Sequence, residues 1–326
     1  MNELSLTALE RAAALVHQVI PPTPQYSWPL LNARAGCELW VKHENHTPIG
    51  AFKVRGGLVL LDRLRSRPGF RGVISATRGN HGQSLAFAAA RAGARCVILV
   101  PHGNSREKNA AMRALGAELV EHGRDFDEAR ERASALAAGE GLEYVGPFLP
   151  ELVAGVASYA LELFRGAAPL DAVYVPIGCG SGICGLIAAR DALGLATRII
   201  GVVSANANAY AQSFAARRAV ETASAVTLAD GMAVRVPVPA ALEIIIRGAE
   251  RIVEVTDAEV AAAMRHYFTD THNVAEGAGA APLAAVLQER GRWRGKRVGI
   301  ILSGGNVDRE VFARVLADAS GGPLVE

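Results

Sequence analysis

The chain has 326 residues, of which 50% are hydrophobic and 20% are charged, and its formal net charge is +2. This length suits one large domain or two medium-sized domains with a substantial core. The small net charge gives no reason to expect a nucleic acid as a partner, and no apolar run reaches the ~18 residues that would suggest a membrane span.

The N-terminal stretch and the cysteines both indicate a cytoplasmic protein. MNELSLTALERAAALV predicts an amphipathic helix that contains acidic residues, and no basic region precedes an apolar run as in a signal peptide. The four cysteines, Cys37, Cys96, Cys179 and Cys184, lack the C-x-x-C spacing of metal ligands. We therefore expect buried free thiols in a reducing compartment.

From residue 37 onward, short apolar runs alternate with alanine-rich helical stretches. The first series has the predicted strands CELWVK, GVISAT, RCVILVP and AELVEH, and Ser105 is the predicted N-cap of the helix SREKNAAMRALG. A second series follows GPFLPELVAG and includes the strands AVYVPI, RIIGVVS and RVGIIL. This alternation predicts an α/β fold with parallel sheets that helices cover on both faces, in two domains with a cleft between them.

A glycine-rich loop follows one predicted strand, in YVPIGCGSGICGLIAAR at 174–190. Glycines let backbone N–H groups approach an anion at a helix N-terminus, so the loop predicts a phosphate site. It also contains G-x-G-x-x-G at Gly180, Gly182 and Gly185, which makes a dinucleotide site an alternative. That alternative expects an acid at the end of the next strand, which ends at Ser204 without one.

Two further loops carry polar residues at the ends of predicted strands. ISATRGNHGQSLAF places Thr77, Asn80 and His81 near a helix N-terminus, where they could hold a carboxylate. VGIILSGGNVD delivers Ser303 to a double-glycine turn. Read alone, both loops are also compatible with ordinary structural turns.

Lysine is rare in this chain. Lys42, Lys53, Lys108 and Lys296 are the only four among 34 basic residues, so each is a candidate for a specific role. Lys53 stands in the stretch HENHTPIGAFKVRGG, directly after an alanine and a phenylalanine.

Taken together, four stretches resemble motifs of the fold-type II pyridoxal-phosphate enzymes (the tryptophan synthase beta-like superfamily), specifically of their serine/threonine dehydratase branch. HENHTPIGAFKVRGG is similar to the family's lysine motif, ATRGNHGQS to its substrate loop, GCGSGICG to its phosphate loop and LSGGN to its pyridine loop. The resemblance extends from about Pro21 to Asp308. It implies two open parallel-sheet, three-layer domains with the cofactor in the cleft between them.

The resemblance also implies where the domains begin and end. The large, cofactor-binding domain would comprise 1–50 and 147–326, and the small domain with the substrate loop would comprise 51–146. We expect no C-terminal regulatory domain and hence no feedback control by a branched-chain amino acid.

For individual residues, the resemblance implies the following roles. Lys53 would be the Schiff-base lysine and then the base at the substrate Cα, with a pKa lowered by burial. The residues implied to bind the cofactor are Phe52, Lys53, Asn80, Gly178, Cys179, Gly180, Ser181, Gly182, Glu276 and Ser303. The residues implied to surround the substrate are Thr77, Arg78, Asn80 and His81. Asp230 and Gly231 match a segment near the cofactor but are also compatible with plain loop structure.

The implied reaction removes the Cα proton of a β-hydroxy-α-amino acid, expels the β-hydroxyl, and yields a 2-oxo acid and ammonia. Threonine or serine is the default substrate of such a dehydratase, or ammonia-lyase. A neutral hydroxyl at Ser303 would leave the pyridine nitrogen unprotonated and weaken the electron sink, which favours elimination over transamination.

Three positions depart from the family pattern. Arg78 stands where racemases carry a serine that acts as a second acid/base, and a guanidinium does not shuttle protons at neutral pH. VVSANANAYAQS lacks the acids of metal-activated relatives, so we expect no metal site. Gly155-Val156-Ala157-Ser158 replaces a G-Q-G-T sequence. Together with the apolar GPFLPEL, it predicts a pocket wall that accepts a larger β-substituent.

These departures leave alternatives open. The substrate could carry a bulkier β-group, as in phenylserine, or an acidic one, as in hydroxyaspartate. An amino-acid racemase is the alternative on the same scaffold. A nicotinamide-dependent oxidoreductase and a non-catalytic binding protein are the alternatives from other classes. We expect a homodimer that acts on a small-molecule amino acid and has no nucleic-acid or membrane partner.

Overall fold

Two sheets organise the chain in the computed structural model, which describes residues 4–317. The strands of this part are β1 (Gln25–Ser27), β2 (Glu38–His43), β3 (Gly72–Ala76), β4 (Arg95–Val100), β5 (Glu118–Glu121), β6 (Glu143–Tyr144), β7 (Ala172–Pro176), β8 (Arg198–Ser204), β9 (Arg251–Val255) and β10 (Arg297–Leu302). The first three residues of the predicted N-terminal helix and the end of the last predicted helix, at Asp318, lie outside the described residues.

Helices connect most of these strands. They are α1 (Leu6–His17), α2 (Pro29–Ala35), α3 (Lys53–Arg65), α4 (Asn80–Ala92), α5 (Arg106–Ala114), α6 (Phe126–Glu140), α7 (Pro150–Gly166), α8 (Ser181–Ala192), α9 (Ala209–Ala216), α10 (Pro239–Gly248), α11 (Asp257–Thr271), α12 (Gly277–Gln288) and α13 (Arg309–Ala317). Short 3₁₀ turns occur at Glu44–His46, Ala205–Ala207, Asp230–Met232 and Arg290–Trp293.

The strand order confirms the predicted α/β class. Six strands form the larger sheet in the order β1-β2-β10-β7-β8-β9, and four form the smaller sheet in the order β5-β4-β3-β6. The strand pairs are parallel except for β1 and β2, which pair antiparallel at one edge. The larger sheet takes its strands from both sides of the smaller one in the chain. The domain bounds at 50/51 and 146/147 stay a prediction.

The sequence of β4 is apolar throughout after Arg95 because both faces of the strand are buried. Cys96 and Ile98 face the core that includes α4, whereas Val97 and Leu99 face the core that includes α6. A strand with helices on both faces buries every side chain, so its hydrophobic residues do not alternate with polar ones. The smaller sheet is therefore the middle of three layers.

Two predicted helix ends, the start of α5 and the end of α4, have the expected capping residues. The Ser105 side chain accepts a hydrogen bond from the Lys108 N–H, which confirms it as the N-cap of α5. Gly93 ends α4 in the left-handed conformation, with a φ of 63°.

The sequence pattern did not identify α7 as a helix. Most of its residues are buried, including the run Val153–Ala154–Gly155–Val156–Ala157. Pro150 at its first position and Glu151 beside it are signals of a helix start that the sequence interpretation did not use.

Candidate active site

One cavity lies where the carboxyl ends of β3, β7 and β10 meet loops of both sheets, as is expected for a ligand site in parallel α/β folds. Its lining residues are Phe52, Lys53, Ala76, Thr77, Arg78, Gly79, Asn80, His81, Lys108, Phe126, Pro147, Pro176, Gly178, Cys179, Gly180, Ser181, Gly182, Asp230, Gly231, Met232, Ala233, Val234, Glu276, Ala278 and Ser303. All the residues that the sequence predicted for cofactor and substrate are in this set. What each of them binds stays a prediction.

Lys53 is the first residue of α3, and its amine reaches across the cavity wall to the glycine-rich loop. Its Nζ donates a hydrogen bond to the Ser181 Oγ at 2.9 Å and lies 5.0 Å from the centre of the Phe52 ring. The Ser84 hydroxyl donates a hydrogen bond to the Lys53 carbonyl oxygen at 2.6 Å. Desolvation lowers the pKa of Lys53, which makes the amine a better nucleophile and base at neutral pH.

Lys108 is a second lysine of the cavity, and the sequence analysis missed it. It extends from the first turn of α5, donates to the Asp230 Oδ2 at 2.6 Å and lies 3.7 Å from the Glu276 Oε2. Burial by itself would lower the pKa of Lys108, but the carboxylates of Asp230 and Glu276 raise it. Lys108 therefore stays a charged ammonium. The only signal in the sequence was the scarcity of lysine.

Glu276 and Asn80, which line the cavity, form a hydrogen-bonded chain with Asn306, which is not one of the lining residues. The Asn80 Nδ2 donates to the Glu276 Oε1 at 2.7 Å, and the Asn306 Nδ2 donates to the Asn80 Oδ1 at 2.8 Å. These two bonds fix which way the Asn80 amide faces. Burial raises the pKa of Glu276 to about 7. Asn306 is a further residue that sequence reasoning missed, although it is the last letter of the motif LSGGN.

The polar residues that follow β3 differ in their surroundings. The Thr77 Oγ1 accepts a hydrogen bond from the Gly79 N–H at 3.0 Å. His81 is buried, its Nε2 has no hydrogen-bond partner among residues 4–317, and burial lowers its pKa to about 3, so its ring is neutral. Arg78 is exposed at the cavity and makes no hydrogen bond or ion pair within the described residues. It remains free to meet an anion from solution.

The glycine-rich loop forms a cradle at the N-terminus of α8. Gly180 has a φ of 98° and precedes α8 without a side-chain cap, so the first N–H groups of the helix have no side-chain partner there. A Cβ on Gly178 would lie 2.3 Å from the Gly231 carbonyl oxygen, which excludes a larger residue. Free N–H groups and the helix dipole together favour an anion such as a phosphate.

The predicted pocket wall at 155–158 is wrong. None of these four residues lines the cavity, and of GPFLPEL only Pro147 does. A Cβ on Gly155 would lie 2.4 Å from the Arg55 carbonyl oxygen, and the Ser158 hydroxyl accepts a hydrogen bond from Arg55. This part of α7 is used to pack against α3, so it cannot shape the substrate pocket.

Neither a metal cluster nor a membrane span was found among residues 4–317. No group of three or more histidine, cysteine, aspartate or glutamate side chains there is arranged to hold a metal ion. No helix of this part is both long and apolar enough to cross a membrane.

Comparison with known proteins identifies a family and several relatives. Residues 16–304 match the family described as pyridoxal-phosphate dependent enzyme. The chain is 32% identical over 314 residues to an L-threonine ammonia-lyase of Thermotoga maritima, covering 96% of this chain and 78% of that protein. It is 30% identical over 315 residues to an L-threo-3-hydroxyaspartate ammonia-lyase of Saccharomyces cerevisiae, covering 96% and 97% of the two chains.

A solved structure has the same fold. A pyridoxal 5'-phosphate-dependent aspartate racemase superposes with a TM-score of 0.88 and 29% identity, covering 95% of this chain and 98% of that one.

Proposed function

The chain belongs to the family of pyridoxal-phosphate-dependent enzymes, and we propose that it is an ammonia-lyase that converts a β-hydroxy-α-amino acid to a 2-oxo acid and ammonia. The observation that carries the proposal is the position of Lys53. Its amine has a lowered pKa and contacts the glycine-rich loop in a cavity that also contains Ser303.

The residues of the cavity fit the cofactor at both of its ends. The N–H groups of 178–182, at the start of α8, suit its phosphate. Ser303, which is 3% exposed, offers a neutral hydroxyl for the pyridine nitrogen at the end of β10. The buried imidazole of His81 still has an unpaired nitrogen. When bound, the cofactor supplies the electron sink that makes the Cα proton of an amino acid removable.

Each protein group then has a defined task. The Lys53 amine would hold the cofactor and would then take the proton from the substrate Cα, and the Ser181 hydroxyl, which accepts a hydrogen bond from this amine, would keep it in place. The N-terminus of α4, with Thr77 and Asn80, binds the substrate carboxylate. Burial lowers the pKa of His81 to about 3, which makes its imidazole too weak a base to compete with Lys53 for that proton.

Threonine or serine is the default substrate, and Arg78 favours a second candidate. An unpaired guanidinium at the cavity suits a substrate with an additional carboxylate, such as 3-hydroxyaspartate, because it can bind both carboxylate oxygens. Phe126, Pro147 and Met232 also line the cavity and could contact an apolar β-group.

One experiment tests the proposed reaction. The purified protein, loaded with cofactor, is incubated with L-threonine, L-serine, threo-3-hydroxyaspartate and phenylserine, and both 2-oxo acid and ammonia are measured. Equal amounts of the two products from at least one substrate are expected. Absence of both products from every β-hydroxy amino acid would contradict the proposal.

We also propose that the protein is a homodimer of the cytoplasm. Large apolar side chains are exposed on β1, α2 and α11: Tyr26 and Leu30 are 50% and 59% exposed, and Phe268 is 40% exposed. An ion pair between Arg34 and Asp270 shows that α2 and α11 are neighbours. We infer that the exposed apolar side chains form a patch, which suits a self-association face. The four cysteines are free thiols, in keeping with a reducing compartment.

We retain the two domains, at 1–50 with 147–326 and at 51–146, as a proposal. Each would hold one of the two sheets, and the cavity would lie between them.

A further inference from the structure

A cluster of four buried charged side chains lies beneath α3 and does not line the cavity. Its members are Lys42 on β2, Glu44 directly after β2, Arg55 on α3 and Glu162 on α7. The side chains of the first three are 0% exposed and that of Glu162 is 6% exposed. Two cations and two anions make the cluster neutral.

Arg55 is the centre of this cluster. Its Nε and Nη2 donate to the two carboxylate oxygens of Glu44 at 2.6 and 2.9 Å. Its Nη1 and Nη2 donate to the two oxygens of Glu162 at 2.6 and 3.0 Å. Its Nη1 also donates to the Ser158 Oγ at 2.9 Å. All five N–H groups of the guanidinium are thereby used, which a lysine ammonium could not reproduce.

The same carboxylates connect Arg55 to the rest of the larger sheet. The Lys42 Nζ donates to the Glu162 Oε2 at 2.6 Å and to the Thr23 carbonyl oxygen at 2.8 Å. The Thr23 hydroxyl donates to Glu44 at 2.6 Å. Although burial alone would raise it, Arg55 and Lys42 hold the pKa of Glu162 at about 2, so this carboxylate stays ionised. α3 is thus tied to β2 and α7 by charge-assisted bonds.

Stability alone does not explain this cluster. Burying ion pairs costs desolvation energy, and apolar residues of similar volume often stabilise a fold as well or better. What the cluster adds is a single permitted geometry, because a guanidinium held by two carboxylates cannot rotate or shift. Arg55 stands two residues after Lys53, in the first turn of α3. The helix has no side-chain cap at Phe52 that would fix this turn instead.

We propose that Arg55 is a positioning residue for Lys53, and that the buried cluster fixes the direction from which the amine enters the cavity. This inference rests on the proposed function, because it assigns the cluster to the reaction that Lys53 performs. Without the cluster, the Ser84 hydrogen bond and the close packing of Gly56 and Gly57 would still hold α3 in the fold, but its first turn would shift by about 1 Å, and the amine would meet the cofactor and the substrate Cα at the wrong distance.

The test compares Arg55→Lys with the matched control Arg251→Lys. The Nε and Nη2 of Arg251 also donate hydrogen bonds to the two carboxylate oxygens of Glu289, at 3.1 and 2.6 Å. Arg251 is the first residue of β9, an edge strand of the larger sheet, whereas the cavity lies at the carboxyl ends of the strands. Each holoenzyme is examined by thermal unfolding, by steady-state kinetics, and by borohydride reduction followed by peptide mapping to measure the cofactor attached to Lys53.

Arg55→Lys should attach less cofactor to Lys53 at saturating cofactor, and its kcat should fall about 100-fold with KM nearly unchanged, the scale of a ~1 Å displacement of a reacting group. Arg251→Lys should lower the unfolding temperature only. The proposal is overturned if Arg55→Lys, like the control, lowers only the unfolding temperature. It is also overturned if Arg251→Lys reduces cofactor attachment and kcat as much as Arg55→Lys does.

If Arg55→Lys does not fold, Glu44→Gln replaces it, because this change keeps the shape of the partner and removes one charge. Reduced attachment to Lys53 would support the proposal, and native attachment and kcat would overturn it. The proposed function fails in a different way. A native protein that attaches cofactor at Lys53 but releases no 2-oxo acid would contradict the reaction, while the comparison of attachment in the variants would still test the positioning role.

Discussion

The two lysines of the cavity show how neighbouring groups decide what one type of side chain can do. Lys53 has a hydroxyl as its hydrogen-bond partner, so desolvation dominates and lowers its pKa. Lys108 is paired with Asp230, and the carboxylates raise its pKa. An amine must lose its proton before it can attack a carbonyl or accept a proton from carbon. Lys53 suits that task, and Lys108 does not.

Glu276 should make the stability of the protein depend on pH. Burial raises the pKa of this carboxyl from 4.5 to about 7, so the folded protein keeps a proton that the unfolded chain releases. As the pH rises from 4.5 to 7, the free energy of unfolding should therefore fall by on the order of 3 kcal/mol. Glu276→Gln cannot ionise and should lack this component. Denaturant unfolding of both cofactor-free proteins across this pH range is the measurement, and parallel curves would contradict the assignment.

Arg78 should decide which substrates bind and whether Cα is inverted. Arg78→Ser removes a charged donor worth about 1.5–3 kcal/mol, so KM for threo-3-hydroxyaspartate should rise by about ten-fold or more. KM for L-serine should change much less. Because a guanidinium cannot deliver a proton to the second face of Cα, the native protein should form no D-serine from L-serine. Equal changes in KM for both substrates, or abundant D-serine by chiral analysis, would contradict this role.

The sequence predicted most of the cavity residues that stand in motifs and missed Lys108 and Asn306, whose contacts depend on the tertiary structure. Lys53, Asn80 and Ser303 stand in recognisable loops, and the structure brings them into one cavity. Lys108 stands in an ordinary helix start, and only the packing of α5 against the 3₁₀ turn at Asp230–Met232 places it beside two carboxylates. Single-sequence patterns carry no information on such pairs.

At the scale of elements, the four residues that follow Lys53 at the start of α3 each make a specific contact. Val54 is buried in the core, and Arg55 centres the buried cluster. A Cβ on Gly56 would lie 2.8 Å from the Leu152 carbonyl oxygen, and one on Gly57 would lie 2.3 Å from the Ser84 Oγ. The two glycines therefore let α7 and α4 approach α3 closely.

Gly155→Ala should destabilise the fold because it lies on the other side of the same contact. Its Cβ would meet the Arg55 carbonyl oxygen at 2.4 Å and the Gly56 Cα at 2.8 Å. Backbone atoms cannot move aside cheaply, so the free energy of unfolding should fall by about 1–3 kcal/mol.

The matched control is Gly139→Ala, in the exposed part of α6, where a Cβ meets nothing within 4 Å. It should stabilise the protein by about 0.5–1 kcal/mol, because alanine favours the helical conformation. Denaturant unfolding measures both variants. A neutral or stabilising Gly155→Ala would show that α3 and α7 are not in close contact.

The elements that the sequence predicted and those it missed differ in their surroundings. α4 and β4 have clear boundaries, since a glycine ends the helix and polar loops flank the strand. α7 has no side-chain cap among the described residues, and most of its residues are buried against α1, α3 and α8. The misplaced pocket wall at 155–158 followed from missing this helix, because a loop at these positions could line a cavity, whereas a helix packed against three others does not.

At the scale of the whole molecule, the parallel arrangement of the strands creates the site. The carboxyl ends of β3, from the smaller sheet, and of β7 and β10, from the larger sheet, deliver Thr77, Gly178 and Ser303 to the same cavity. The sequence predicted this convergence because all three loops follow apolar strands. It did not predict the antiparallel edge strand β1, which is only three residues long.

The proposed homodimer should depend on the exposed patch around α2. Leu30→Glu places a charge at a side chain that is 59% exposed. The monomer tolerates such a change at its surface, but a dimer that buries the patch does not. Light scattering coupled to size-exclusion chromatography should show a dimer for the native protein and a smaller species for the variant. A native monomer, or a variant that remains dimeric, would contradict the use of this patch.

The central claim is that the amine of Lys53 carries the cofactor and performs the reaction. The most direct measurement is borohydride reduction of the native holoenzyme, followed by digestion and mass spectrometry of the modified peptide, together with the release of 2-oxo acid before and after reduction. We expect a single modified residue, Lys53, and complete loss of product release on reduction. Modification at Lys108 instead, or undiminished product release after Lys53 has been reduced, would contradict the claim.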